Sequence, residues 1–350
     1  MTQTFPRRHF IRTATIAGLG VALLDSFPKA YGMNRILNEG RVGIIGLDTS
    51  HSVAFTKSLN SADAAAEFKG FRVVAAYPKG SNDIESSVKR LAGYTEDIKQ
   101  MGVEIVSSVE ELLKKVDVVL LETNDGRPHL QQAMMVIKAG KPFFIDKPVA
   151  ASLSDVISIY DAAKRNNVPI FSSSSLRYME SVQDVVKGKA GAVLGADTYS
   201  PATLEKTHPD LFWYGIHGVE ILFSVMGTGC KEVSRVHTND TDIVTGIWKD
   251  GRVGTFRGTR TGTHDYGGTV YGSKENVSLG PFTGYDTLLM QIIDFFKTGK
   301  APVSPEETLE IYAFMEGADE SKRKSGATAS LESVIQKATK NKKQRNNKSF

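Results

Sequence analysis

Cys230 is the only cysteine in this chain of 350 residues. An intrachain disulfide is therefore excluded even in an oxidising compartment, and the fold must be held by its core. The sequence also lacks an uninterrupted apolar run of the ~20 residues needed to cross a bilayer, since its best stretch, Thr13 to Leu24, is broken by Gly18 and Gly20. No internal repeat is visible. Net positive charge is lacking away from the ends: the formal charge is +4, but residues 1–30 carry +3 and residues 337–348 carry +6, which leaves the body at −5. An acidic body argues against a nucleic-acid groove, which needs basic side chains on the folded surface. What is present is apolar: 41% of the residues are hydrophobic, enough for a sizeable core and, at this length, for two domains.

The N-terminus reads as an address. Arg7-Arg8-His9-Phe10-Ile11-Arg12 pairs two arginines with an aromatic two positions on, ahead of the moderately apolar Thr13–Leu24, and Pro28-Lys29-Ala30 offers a small residue for cleavage. This is the layout of a twin-arginine export signal over residues 1–30, which predicts a periplasmic or otherwise exported protein with no membrane span beyond the signal.

From Arg41 onward, short apolar runs alternate with amphipathic stretches. Arg41–Leu47, Phe71–Tyr77, Val116–Glu122, Pro142–Asp146 and Val168–Ser172 read as buried strands. Strands alternating with helices imply right-handed crossovers, hence a Rossmann-type doubly wound parallel sheet over residues 38–175 with its ligands at the carboxyl ends of the strands. After Arg177 the strands follow one another directly. Asp242–Lys249 and Arg252–Thr261 flank the hairpin signal Asp250-Gly251, and His264–Leu279 supplies more strand. Residues 176–325 therefore read as an α+β domain with a mostly antiparallel sheet. Tyr285–Thr298 and Pro305–Ser325 have helical periodicity, the second opened by a cap, a first-turn proline and acids at Ser304-Pro305-Glu306-Glu307. Residues 326–350 read as a basic tail, with the Lys/Asn-rich end from Lys337 solvated.

The first strand runs into Gly43-Ile44-Ile45-Gly46-Leu47-Asp48-Thr49-Ser50-His51 and then a helix, a place where backbone N–H groups and the helix dipole favour an anion. Against the pattern G-x-G-x-x-G, only Gly46 matches, with Asp48 and His51 at the second and third glycine positions. A side chain at the second position obstructs a pyrophosphate and a carboxylate repels it. Thr49 and Ser50 either donate to phosphate or simply cap the helix. The second strand ends Tyr77-Pro78-Lys79-Gly80-Ser81, without the acid that would bind the ribose hydroxyls of NAD; Lys79 and Ser81 would suit the 2′-phosphate of NADP, or Lys79 is a solvated loop residue.

Further on, Glu122-Thr123-Asn124 closes a strand, Pro128-His129 opens a helix ending Gly140-Lys141-Pro142, and Phe143-Phe144-Ile145 leads into Asp146-Lys147-Pro148. The series T-N-x-x-x-x-H, A-G-K-P and acid-Lys-Pro resembles the Gfo/Idh/MocA family. That resemblance implies a nicotinamide cofactor, NAD or NADP, and a lysine near both nicotinamide and substrate hydroxyl; the role falls on Lys147, with Asp146 one methylene shorter than the family's glutamate. A lysine partly desolvated at a strand's carboxyl end can share a proton with a hydroxyl or carbonyl. The resemblance resumes through Ser173–Tyr178, Gly191–Ser200 and Tyr214-Gly215-Ile216-His217-Gly218-Val219-Glu220, where it implies a substrate-facing histidine, His217, with Glu220 three residues on. His217 can serve as acid or base near neutral pH; the alternative is a packing histidine. Trp213 stands where many members have an acid, and an indole suits a sugar face.

The expected cofactor set is Gly46, Leu47, Thr49, Ser50, Lys79, Thr123, Asn124, His129, Asp146 and Lys147. The expected substrate set is Arg177, Tyr178, Trp213, His217 and His264, with Arg177 equally readable as an interdomain structural residue. His208, His217, Glu220, His264 and Asp265 match no compact metal-ligand spacing, so no metal is expected from them. The leading expectation is an exported NAD(P)-dependent oxidoreductase on a sugar or sugar-like alcohol, working as a homo-oligomer on a small-molecule carbohydrate. A non-redox lyase or hydratase on a keto-sugar, helped by Asp48 or His51, is the runner-up. A carbohydrate-binding protein without turnover is the third reading.

Overall fold

The computed structural model describes residues 37–348, so the expected signal over residues 1–30 lies outside the described residues. No helix among the described residues is long and apolar enough to cross a membrane.

Five of the six strands of the first sheet are those expected from the apolar runs: β1 (Gly40–Ile45), β2 (Phe71–Tyr77), β4 (Val118–Leu121), β5 (Phe143–Ile145) and β6 (Ile170–Ser172). The sixth, β3 (Glu104–Ile105), is only two residues long and has no periodicity to betray it. All pairings are parallel, in the order β3-β2-β1-β4-β5-β6. Each residue of β4 is buried, as a central parallel strand covered on both faces requires. The helices between the strands are α1 (Ser50–Asn60), α2 (Glu85–Gln100), α3 (Val109–Lys115), α4 (His129–Lys138) and α5 (Leu153–Arg165). Ser108 and Ser152 cap α3 and α5 by accepting from the backbone N–H three residues on. The strand order reverses between β1 and β4, and a crevice opens outside their carboxyl ends.

After a 3-10 turn at Ser175–Tyr178 come α6 (Glu180–Val186), β7 (Val193–Pro201), α7 (Asp210–Trp213), α8 (Ile216–Met226), β8 (Cys230–His237), β9 (Thr241–Trp248), β10 (Val253–Thr259), β11 (Gly267–Gly272) and β12 (Asn276–Leu279). They are followed by α9 (Asp286–Thr298), α10 (Pro305–Arg323), β13 (Ala329–Ser330) and α11 (Leu331–Lys348). The second sheet runs β12-β11-β7-β10-β9-β8-β13 and is antiparallel except for the β7–β10 pair. The Asp250-Gly251 hairpin forms as expected, with Gly251 at φ +88°. Helix α8, buried along nearly all its length, lies against this sheet; at Gly218 an added Cβ would come within 2.3 Å of the Phe256 ring, so only glycine permits this approach.

Two boundaries differ from expectation. Leu288, Leu289, Ile292, Ile293, Phe295 and Phe296 of α9 join the core formed by Val42, Ile44 and Leu120, so this helix, read as part of the second domain, covers a face of the first sheet. The basic end is a helix where a tail is expected: α11 buries Leu331, Val334 and Ala338 in the main core beside α5 and α10, and Lys342 pairs with Asp161, while Lys337, Lys340 and Lys343 stay exposed. Three apolar residues at i, i+3 and i+7 supply an amphipathic stripe that the density of Lys and Asn concealed.

Candidate active site

The carboxyl ends of β1, β4 and β5 meet the amino end of α8 around a cavity of about 340 Å³. Gly46 makes this convergence possible: at φ +95°, an added Cβ would lie 2.3 Å from the backbone nitrogen of Thr123. Leu47, expected at the cofactor, is instead a core residue whose N–H donates to the Lys79 carbonyl.

Asp48 also differs from expectation. Its carboxylate is buried beneath the loop, accepting from the Ser87 hydroxyl at 2.6 Å and the Asn124 N–H at 3.0 Å, and it does not line the cavity. Burial raises its pKa, although these hydrogen bonds oppose the shift. The side chain that should obstruct an anion thus ties the first βα turn to the loop after β4. Thr49 precedes α1 at the cavity wall, its hydroxyl buried and without a hydrogen-bond partner among the described residues. The Ser50 hydroxyl reaches Tyr285 at 3.3 Å.

His51, in the first turn of α1, faces the cavity with its ring edge-on to Tyr285 at 4.4 Å. Its Nδ1 lies 3.2 Å from Asp146 Oδ2 and 3.8 Å from Glu122 Oε2. Asp146 Oδ1 accepts the Lys147 N–H at 2.8 Å, and the Lys147 Nζ is 3.9 Å from Oδ2. Burial would raise the Asp146 carboxyl, but His51 and Lys147 outweigh it and hold the group below the usual carboxylate range. Glu122, fully buried and next to Asp146, is pushed well above that range, first by burial and then by the neighbouring charge.

Lys147 lines the cavity with only 13% of its side chain exposed. Across from it, His217 Nδ1 shares a hydrogen bond with the Ser174 hydroxyl at 2.8 Å, leaving the other ring nitrogen for a ligand. Burial, then the Lys147 cation, lower the His217 pKa well below its ordinary value, so the ring is neutral at physiological pH and able to accept a proton. Trp213, Tyr214, Tyr266 and Phe282 form aromatic walls, and Thr203 and Glu205 add polar groups.

The other expected residues divide clearly. Asn124 lines the cavity, whereas Thr123 is buried with its hydroxyl on Gln132. His129 is structural: its ring nitrogens face the carbonyls of Thr123 and Val149 at 2.7 and 3.2 Å, joining the loops after β4 and β5. Lys79 is exposed and outside the lining, and Ser81 is bonded to Asp83 and Arg127, which removes the argument for a 2′-phosphate site there. Arg177 is the structural arginine, paired to Glu220 at 2.9 Å and Glu307 at 2.6 Å, so Glu220 orients Arg177 and Ser173, not His217. Tyr178 is buried in the core beside α9, and His264 is exposed, both away from the lining.

The metal candidates weighed from sequence do not assemble, since Glu220 is held by Arg177, His264 is exposed, and His208 accepts from the Gly126 N–H. Sequence reasoning missed Tyr266 and Tyr285, which reach the cavity from distant parts of the chain and carry no local signal, Arg90, which reaches it from α2, and the part of Ser174, which acts through His217. Glu122 had a signal, its position at the carboxyl end of a central strand.

Residues 40–174 match the oxidoreductase family with an NAD-binding Rossmann fold, Gfo/Idh/MocA. An uncharacterized oxidoreductase of Streptococcus pneumoniae is 27% identical over 121 residues, a match spanning 33% of this chain and only 32% of that protein. Among solved structures, a probable dehydrogenase from Thermotoga maritima is 20% identical with a TM-score of 0.67, covering 84% of this chain and 99% of that one. The scyllo-inositol dehydrogenase of Lactobacillus casei, solved with NAD(H) and scyllo-inositol, is 15% identical with a TM-score of 0.64, over 84% of this chain and 99% of the other. At such identities these structures establish the shared two-part fold.

Proposed function

We propose, for a chain whose residues 40–174 match the NAD-binding Rossmann fold of the Gfo/Idh/MocA oxidoreductase family, that the protein oxidises or reduces a hydroxyl-bearing carbon of a sugar or cyclic polyol. The observation that carries this reading is that Lys147 and His217, supplied by different halves of the fold, line one cavity. The residues suit a dinucleotide: Gly46 leaves no Cβ at the turn, Asp48 is turned inward, and the Thr49 hydroxyl is buried without a partner among the described residues at the amino end of an eleven-residue helix. Gly46, Thr49, Ser50 and Asn124 would hold the cofactor, which supplies a hydride acceptor or donor when bound.

The chain's own residues manage the proton. The Lys147 ammonium polarises the substrate oxygen, and neutral His217, fixed by Ser174, takes the hydroxyl proton during oxidation and returns it during reduction. The aromatic walls give an apolar face to a ring while excluding water. Inositol dehydrogenases among the structural neighbours support a polyol substrate. His51 at the third glycine position is the observation that favours a non-redox lyase or hydratase instead.

Export rests on the Arg7-Arg8 pair. Mass spectrometry of small molecules released from denatured protein, recovered from the periplasmic fraction, tests both points. Stoichiometric NAD or NADP is expected, and Arg7→Lys with Arg8→Lys should leave the protein in the cytoplasm. Repeated absence of nucleotide, with no uptake of added cofactor, would shift the assignment to the lyase or hydratase.

Assembly with a second copy is proposed through the outer face of the second sheet, where Leu194, Tyr199, Val253 and Tyr271 are exposed on adjacent strands. Sedimentation should give at least a dimer that Val253→Lys weakens; a monomer at micromolar concentration removes the idea.

A further inference from the structure

We infer that His51, Glu122 and Asp146 form a binding site for one divalent transition-metal cation of the zinc or manganese kind, opening into the cavity beside Lys147. Each offers one ligand atom, and the three atoms lie within 4.8 Å of one another. The two measured separations, 3.2 and 3.8 Å, bracket the spacing of about 3.4 Å that tetrahedral ligands adopt around zinc with ~2.0–2.2 Å bonds. One imidazole and two carboxylates make a donor set suited to zinc or manganese.

A second observation points to a ligand independently of this spacing. Both oxygens of Glu122 are buried without a hydrogen-bond partner among the described residues, as are His51 Nδ1 and Asp146 Oδ2. Four such atoms facing one another are a costly arrangement in a native fold unless something joins them. The 3.2 Å contact between His51 and Asp146 pairs those two groups, but it leaves both oxygens of Glu122 unsatisfied. A divalent cation engages all three residues and neutralises the two buried carboxylates at once.

The protein also holds the ligands in place from outside. Asp146 Oδ1 is fixed by the Lys147 N–H, and the His51 ring is packed against Phe55 and Tyr285. Because His51 and Asp146 line the cavity while Glu122 lies behind it, a fourth coordination position faces the cavity and takes water or a substrate hydroxyl. In sequence the site begins with the replacement of the third motif glycine by His51.

The test uses the whole purified protein, stripped with a chelator and titrated with Zn²⁺ alone, without nucleotide or sugar. One ion per chain is expected, with affinity weakened about 100-fold or more by His51→Ala and by Glu122→Gln. No binding to the wild type, or equal binding to folded Glu122→Gln, overturns the site. A second readout needs no variant: Mn²⁺ bound to the wild type should show electron-nuclear coupling to a histidine nitrogen, and absence of that coupling also overturns it. NAD titration of the same stripped protein reads the oxidoreductase proposal separately, so either conclusion can fail while the other stands.

Discussion

Lys147→Met should lower kcat/KM for the preferred polyol by about 10²–10⁴-fold, the range for removing a positioned proton-transfer group. Methionine keeps the unbranched length of the side chain, the backbone N–H of residue 147 can still donate to Asp146, and Asp146 keeps His51, so the fold should be retained with a modest loss of stability from the missing cation. Lys147→Arg should not restore the rate, because a planar, permanently charged guanidinium cannot replace a compact ammonium at a wall with so little room.

A second readout separates this role from a structural one. Lys147 is the second cause, after burial, of the lowered His217 pKa. In Lys147→Met, the His217 titration followed by NMR should therefore move up toward the unperturbed value of about 6.5 without reaching it, because burial persists. The sign for stability follows: a histidine that binds its proton less tightly when folded costs stability as pH falls below its unfolded value, and that cost shrinks in the variant. An unchanged rate together with an unmoved His217 titration would remove Lys147 from the reaction.

The largest effect on stability is expected at Arg235→Met. This guanidinium is fully buried and joins Asp242 at 2.7 Å, Asp210 at 2.9 Å and Asp319. Asp242 keeps Arg260 and Asp210 keeps Lys322 when Arg235 is lost, but Asp319 loses its hydrogen-bonded cation. Removing one partner of a buried ionic network typically costs about 3–5 kcal/mol, measurable by urea unfolding.

The pH dependence sharpens this prediction. Burial pushes the Asp319 carboxyl up to about 7 despite Arg235. Its folded-state pKa is above the unfolded value, so its protonated form favours the fold at low pH and that contribution is lost as pH rises through about 7. Without Arg235 the carboxyl is pushed higher still, and the variant's deficit should be larger at about pH 8 than at about pH 6. Adding Asp319→Leu should recover part of the deficit and remove this dependence; a deficit independent of both would show that packing, not charge, governs the site.

How much of this was legible in sequence depends on how far each feature reaches along the chain. The strands β1, β2, β4, β5 and β6 were readable because a parallel strand covered on both faces is a short apolar run, and the Asp250-Gly251 hairpin because its turn chemistry is local. Lys147 was readable for a related reason, since an acid-Lys-Pro turn after a buried strand lies at the ligand end of a doubly wound sheet.

Other outcomes joined residues that local pattern cannot connect. Asp48 reads as an obstacle in the sequence because its partner, the N–H of Asn124, is 76 residues away. Arg177 could be read equally as a substrate clamp or a structural residue until Glu220 and Glu307 met it. The assignment of α9 and α11 rested on which sheet face lacked cover. Local sequence determined the strands, the turns and the end of the sheet at which Lys147 stands, because hydrophobic periodicity and backbone stereochemistry act over a few residues. Tertiary structure alone decided that Asp48 turns inward, that His217 faces Lys147, and that His51, Glu122 and Asp146 share one buried corner, because burial and pairing depend on which distant side chains the packed layers bring together.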